Sequence, residues 1–231
     1  MTRNVAAIRK QASWQVRARL DHASRAAVIK KLAKGASILD VGCGNASVSL
    51  IKNFRRDLNC FGIDIIDYCI SDIDKRLMEK YVVCSPESFA AQIRAFDREF
   101  DLVLSAHNLE HCNHPTDVLA AMMGRVTPGG LLYLAFPSEA SVHLPKRGGC
   151  LNFYDDPTHR TVPRFERVMN TVREARFELL RALPRNRGNY YIGWMVGALQ
   201  EPASFLQNRV LSYTWNYWGF ESVIIARRTA R

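Results

Sequence analysis

Ile38-Leu39-Asp40-Val41-Gly42-Cys43-Gly44-Asn45 decides the reading of this chain. An apolar run meets an acid and then a Gly-x-Gly turn. Glycine is required where a ligand must lie almost against the backbone, because a Cβ would occupy the same space. Such a turn belongs at the carboxyl end of the first strand of an open α/β sheet, the edge at which these sheets bind ligands.

Outward from that turn, strand and helix patterns alternate. Ser37–Val41 reads as the first strand and 45–54 as the helix after it. Residues 60–64, 81–84 and 101–105 read as further strands. Residues 115–126 read as a helix with Asp117 in its first turn, Thr127-Pro128-Gly129-Gly130 as a turn, and 131–136 as a fifth strand. This alternation predicts a parallel sheet with helices on both faces. Beyond Pro137 the pattern loosens to a helix over 163–173, a strand over 177–183 and a last strand over 220–227. Residues 184–218 hold Tyr190, Tyr191, Trp194, Phe205, Tyr213, Trp215, Tyr217 and Trp218. That stretch is too long and too apolar for a loop and predicts a helical insertion before the last strand, its aromatics walling a pocket, filling a core or making a homodimer contact.

The chain has 231 residues, 48% hydrophobic and 23% charged, which suits one α/β domain with a good core. No apolar run reaches the length of a membrane span, and residues 1–10 lack the apolar segment of a secretory signal. Six cysteines (Cys43, Cys60, Cys69, Cys84, Cys112 and Cys150) are scattered without a C-x-x-C pair, so free thiols in a cytoplasmic protein are expected. Residues 1–35 carry nine basic residues and a single acid, Asp21, and so hold +8 of the net +10. Ile8, Val16, Leu20, Val28, Ile29 and Leu32 recur at helical spacing, which predicts two basic amphipathic helices over 1–35 capping a domain over 36–231. Their basic side is either a solvated face or a patch for phosphate, nucleic acid or a membrane surface.

A nicotinamide fingerprint requires a third glycine. Here Ser47 takes that place, and Asp40 adds negative charge beside the turn. That field suits a cation, such as a sulfonium with an attached ammonium, better than a pyrophosphate. Asp64 closes the second strand twenty residues after Gly44, where a carboxylate accepts hydrogen bonds from both ribose hydroxyls.

Together with the blocks FDLVLSAHNLEH at 100–111 and TPGGLLYLAFP at 127–137, these residues resemble the class I S-adenosylmethionine-dependent methyltransferases, in the broad group of small bacterial enzymes. The resemblance implies a Rossmann-like, seven-stranded, mostly parallel sheet with a reversed last strand. It implies S-adenosylmethionine as donor and S-adenosylhomocysteine as product. The cofactor residues it implies are Asp40, Gly42, Cys43, Gly44, Asp64, Ile65, Ser85 and His107. Asp40, Gly42 and Gly44 would surround the methionine part, Asp64 would hold the ribose, and 85–87 would lie near adenine.

Methyl transfer needs a nucleophile aligned with the methyl group. An oxygen nucleophile must also lose its proton, for which histidine is a suitable base. His107, His111 and His159 are the candidate bases, with Asp156 to orient His159; His111 also has a purely structural reading. Asn152-Phe153-Tyr154-Asp155-Asp156-Pro157-Thr158-His159-Arg160 resembles a pocket-lining segment of the family. Tyr154 and Arg160, with Tyr190 and Trp194 of the insertion, are therefore candidate acceptor contacts. His107, Glu110 and His111 stand at i, i+3 and i+4 on one face of a helical turn, with His143 or His159 as a fourth ligand. This is similar to the E-x-x-E-H arrangement of small-RNA terminal 2′-O-methyltransferases and ubiquinone-pathway O-methyltransferases, which bind a divalent metal. Histidine in place of the first glutamate tilts such a site from Mg²⁺ towards a transition metal. The acceptor expected is a hydroxyl of a small molecule or glycan. The alternatives are RNA engaged by the basic arm, or a non-catalytic scaffold of the same fold.

Overall fold

The computed structural model describes residues 23–44, 46–67, 70–188 and 190–230. Seven strands form one sheet: β1 (Ser37–Val41), β2 (Asn59–Asp64), β3 (Lys80–Val83), β4 (Phe100–Ala106), β5 (Val126–Pro137), β6 (Phe177–Asn186) and β7 (Glu221–Arg228). Their order is β3-β2-β1-β4-β5-β7-β6. β7 runs antiparallel to β5 and β6, and the pairs among the first five strands are parallel. The sheet is the Rossmann-like, mostly parallel one with a reversed last strand. Chain direction across the sheet switches between β1 and β4, and such a switch opens a crevice beyond the strands' carboxyl ends. Gly42 leaves β1 and His107 leaves β4 at that crevice.

Helices among the described residues are α1 (Arg25–Lys30), α2 (Ser47–Phe54), α3 (Asp72–Arg76), α4 (Phe89–Arg94), α5 (Pro115–Met123), α6 (Phe165–Glu174), α7 (Tyr190–Leu206) and α8 (Thr214–Trp218). Strand side chains alternate between faces. Leu39 and Val41 of β1 therefore join a core with Phe61, Ile63, Phe100 and Phe136 on one side of the sheet. Ile38 joins Ile29, Ile51 and Leu58 on the other. Phe100 is fully buried and meets the rings of Phe61 and Phe96 edge-on, at 5.1 and 5.6 Å. Phe100→Ala is expected to cost about 3–5 kcal/mol. An unchanged denaturation midpoint would contradict this account of the core.

The basic arm is partly seen. Its first predicted helix lies outside the described residues. Its second is α1, capped by Ser24, whose hydroxyl accepts from the Ala27 amide at 3.2 Å. α1 buries Ala26, Ala27, Val28 and Ile29, so this part of the arm is packed into the domain.

Thr127-Pro128-Gly129-Gly130 bulges within β5. Phe100 pairs with Val126 but Leu102 pairs with Leu131, so the extra residues loop out with Gly129 at φ +79°. β6 runs on to Asn186, three residues into the predicted insertion, through register shifts against β7. The rest of the insertion forms α7 and α8. A Cβ on Gly197 would lie 2.5 Å from the Tyr217 Cβ, so glycine there lets the two helices approach.

Candidate functional site

The turn after β1 is built on positive φ: +72° at Gly42 and +52° at Gly44. A Cβ on Gly42 would lie 2.7 Å from Asn108 Cβ, Cγ and Oδ1. The Gly44 amide donates to Asp64 Oδ2 at 2.8 Å and the Ile65 amide to Oδ1 at 2.7 Å. Asp64 is thereby fixed across the turn from Gly42. Asn45 lies outside the described residues. Cys43 contributes backbone, since its sulfur faces Gly62, where a Cβ would lie 3.0 Å away. Burial, with Asp40 and Asp64 nearby, pushes its thiol well up. The five described cysteines are free thiols, and Cys69 lies outside the described residues.

Asp40 is buried and accepts a hydrogen bond from the Ser47 hydroxyl. Burial raises its pKa, against the Arg25 guanidinium and the Ser47 hydrogen bond, which favour the carboxylate. Arg25 also donates to Ser47 Oγ at 3.1 Å. α1 thus brings a cation of the basic arm to the glycine turn. The sequence offers that arm as a solvated face or a patch for an anionic partner, and neither reading points to Arg25 as a site residue.

After β4 the chain presents consecutive residues to two hollows. Asn108 lines a narrow cleft with Ile65, Pro86, Glu87 and His111. Its amide nitrogen is buried without a partner. The Ser85 hydroxyl instead engages Ser88, accepting from its amide at 3.3 Å, so Pro86 and Glu87 face the cleft in its stead.

His107 lines a cavity of about 460 Å³ with Arg25, Tyr133, Asn186, Ile192, Trp215 and Glu221. That size suits a small-molecule ligand. His107 holds φ +55°, a conformation uncommon outside glycine and concentrated at functional sites. Its Nδ1 lies 3.2 Å from Glu110 Oε1 and its Nε2 2.8 Å from Glu221 Oε1. Its ring stacks on Phe220 at 5.9 Å. Burial pushes the imidazole pKa down, but the Glu110 and Glu221 hydrogen bonds and charges outweigh it and raise it to about 10. His107 is therefore an imidazolium at neutral pH.

His107's pKa is raised from the ordinary 6.5 to about 10, so its contribution is complete below pH 6.5 and is lost as pH climbs towards 10. The unfolding midpoint should fall between pH 7 and 10, and this decline should flatten in His107→Gln; equal slopes in the two proteins would contradict the assignment.

Behind His107, Glu110 is fully buried and its Oε2 has no partner. Ligand atoms of Glu110, His111 and His159 lie within 4.8 Å of one another. His159 Nδ1 is 2.6 Å from the Phe153 carbonyl, and His111 Nδ1 is 3.0 Å from Thr158 Oγ1. Thr158 donates through its hydroxyl and amide to Asp156 Oδ1 at 2.6 and 2.8 Å. Asp156 therefore acts on His111 through Thr158, and its Oδ2 is 4.0 Å from His159 Nε2. His107 turns towards Glu221, so the three clustered donors are Glu110, His111 and His159, without the first residue of the predicted trio. His143 is not in that cluster.

The predicted acceptor contacts are dispersed. Tyr154 is exposed, Trp194 faces outwards beside Tyr217, and neither lines the cavity, nor does Arg160. Tyr190 opens α7, and its side chain lies outside the described residues. Besides Arg25, the sequence reading missed Asn108 and Glu221. Asn108 carried a weak signal, directly after His107 in the motif; Glu221 reaches the site only through the pairing of β7 with β5.

A family model described as a methyltransferase domain matches residues 11–182. Among solved structures, a SAM-dependent methyltransferase from Archaeoglobus fulgidus shares 18% identity, with TM-score 0.54 and 93% of each chain covered. Magnesium protoporphyrin IX methyltransferase from Synechocystis PCC 6803, with bound SAM, shares 11%, with TM-score 0.52 over 95% of this chain and 79% of that one. The [4+2]-cyclase SpnF shares 15%, with TM-score 0.51 over 96% and 82%. At these identities the likeness is one of fold, which hosts more than one chemistry. No curated protein matches the chain by sequence.

Proposed function

This chain belongs to the class I S-adenosylmethionine-dependent methyltransferase family, and from that premise we propose that it methylates a hydroxyl of a small molecule or sugar seated over His107 and Glu221. The residues present suit the cofactor. Gly44 holds φ +52° with nothing within 4 Å of where a Cβ would stand, Asn108 offers an unpartnered buried amide, and Asp64 is fixed at the turn by the Gly44 amide. Asp64 would hold the ribose, Gly42 and Gly44 the methionine part, and Ile65 and Glu87 the adenine side. Bound there, S-adenosylmethionine supplies a methyl group on a sulfonium.

The observation that carries the acceptor reading is the Glu110–His107–Glu221 chain on the cavity wall. An imidazolium with both nitrogens engaged does not take a proton. We therefore assign the base to Glu221 rather than to His107, which is the positioning residue that aims it. Glu221 would accept the hydroxyl's proton as the oxygen gains its methyl, with the Glu110 carboxylate on the far side of the imidazolium offsetting the cation's pull on Glu221. The reaction would take place in the cytoplasm, where S-adenosylmethionine is supplied.

Labelled S-adenosylmethionine, offered with pools of phenols, sugars and amines, tests the acceptor class. Transfer to a phenol or sugar is expected, and transfer confined to amines would contradict the reading. With the acceptor found, Glu221→Gln should lower kcat about 10²–10⁴-fold while cofactor affinity holds. Full kcat in that variant would remove Glu221 from the mechanism.

A second reading adds a metal, favoured by the unpartnered Glu110 Oε2 beside His111 and His159. Two imidazoles and one carboxylate suit a divalent transition ion, and the Phe153 carbonyl orients His159 as an outer partner would. Chelation should then reduce methyl transfer, and Zn²⁺ or Mn²⁺ should restore it. Activity that survives exhaustive chelation rules the metal out.

A further inference from the structure

The outer face of α7 is mostly uncovered among the described residues: only Trp194, beside Tyr217, and Phe205, under the Arg147 guanidinium at 5.7 Å, have ring partners. Trp194, Met195, Leu199, Phe205 and Leu206 are exposed along it, Leu199 by 80% and Leu206 by 82%. Their spacing follows the helical repeat, so they form one stripe on a 17-residue helix about 25 Å long. The inner face is committed to the fold. Gly193, Gly197 and Ser204 are buried there, and Gly197 packs on α8. Contiguous exposed apolar surface of this kind marks an interaction site.

Charge around the stripe selects the occupant. Exposed Arg185, whose guanidinium donates to the Trp218 carbonyl, precedes the helix and exposed Arg209 follows it, with exposed Lys146 two residues from Gly148, which bridges to Arg209. The sole acid within 184–218 is Glu201, and it is turned inwards. Its carboxylate accepts from Arg147 at 2.6 Å and from Trp218 Nε1 at 3.1 Å. The face is thus apolar along its middle and cationic at both ends. A second copy docked through the same stripe, in either direction, would bring arginine rim against arginine rim. An anionic lipid surface accepts both features, the apolar side chains at the acyl boundary and the cations among the headgroups. No described helix is long and apolar enough to cross a membrane, so any such contact lies on the surface.

We infer that α7 docks this protein on anionic membrane surfaces, with Trp194, Leu199 and Leu206 inserted at the interface and Arg185 and Arg209 pairing with lipid phosphates. This inference is independent of the acceptor.

The test is co-sedimentation of the full-length protein with vesicles of phosphatidylcholine, alone or mixed with phosphatidylglycerol. Binding to the mixed vesicles and little to pure phosphatidylcholine is expected. The double variant Leu199→Glu, Leu206→Glu changes two exposed side chains and should fold normally, which its thermal transition checks. It should lose vesicle affinity at least about tenfold. Brominated lipids should quench tryptophan fluorescence in the wild type and much less in Trp194→Phe. No binding to either vesicle would overturn the inference. So would undiminished binding of the folded double variant, which would hand the role to the basic arm. A dimer in solution that the double variant abolishes would replace lipid by a second copy.

Discussion

Asp64→Ala is expected to weaken S-adenosylhomocysteine binding by about two orders of magnitude or more. Two hydrogen bonds from ribose hydroxyls to a carboxylate are lost, each contributing about 1.5–3 kcal/mol. The same change frees the Gly44 and Ile65 amides that Asp64 now holds at 2.8 and 2.7 Å, so the glycine turn also loses its anchor. Asp64→Asn keeps the shape and one acceptor oxygen and should retain more affinity than alanine. Calorimetry on the three proteins measures both effects, and equal affinity across them would remove Asp64 from the site.

Gly42→Ala is expected to be nearly as damaging, for two separable reasons. At φ +72° any Cβ strains the backbone, by about 1–2 kcal/mol. In addition the new methyl would sit 2.7 Å from three atoms of Asn108, so Asn108, which lines the cleft, would have to shift. Gly35 isolates the first effect. It holds a similar φ of +75°, yet a Cβ there would meet nothing within 4 Å. Gly35→Ala should therefore lower stability modestly and leave cofactor affinity alone, whereas Gly42→Ala should lose both. Matching affinities in the two variants would mean that the placing of Asn108 against Gly42 does not matter to the cofactor.

What the sequence revealed follows from where each signal resides. β1 and its turn are local. Five buried residues, Asp40 among them, and two glycines carry their own instructions, and β1 stands at Ser37–Val41 as the pattern predicts. The reversed β7 is likewise a continuous apolar strand. α3 and α4 escaped the reading because five and six residues hold too little periodicity to register. The site divides the same way. Asp64 is legible because its spacing from Gly44 follows from one strand–helix–strand unit. Arg25 and Glu221 are not, since each reaches the cavity only through tertiary placement, Arg25 on α1 and Glu221 at the start of β7. The histidine-rich motif after β4 was legible as chemistry but not as geometry. The left-handed turn at His107 places its ring between Glu110 and Glu221, while His111 turns to meet His159. Spacing along a regular helix does not anticipate that divergence.

Calorimetric titration of the purified full-length protein with S-adenosylhomocysteine tests the central claim most directly. One-to-one binding in the micromolar range, lost in Asp64→Ala, is the result predicted. A cooperatively folded protein that takes up no S-adenosylhomocysteine would contradict the assignment of this crevice to the cofactor.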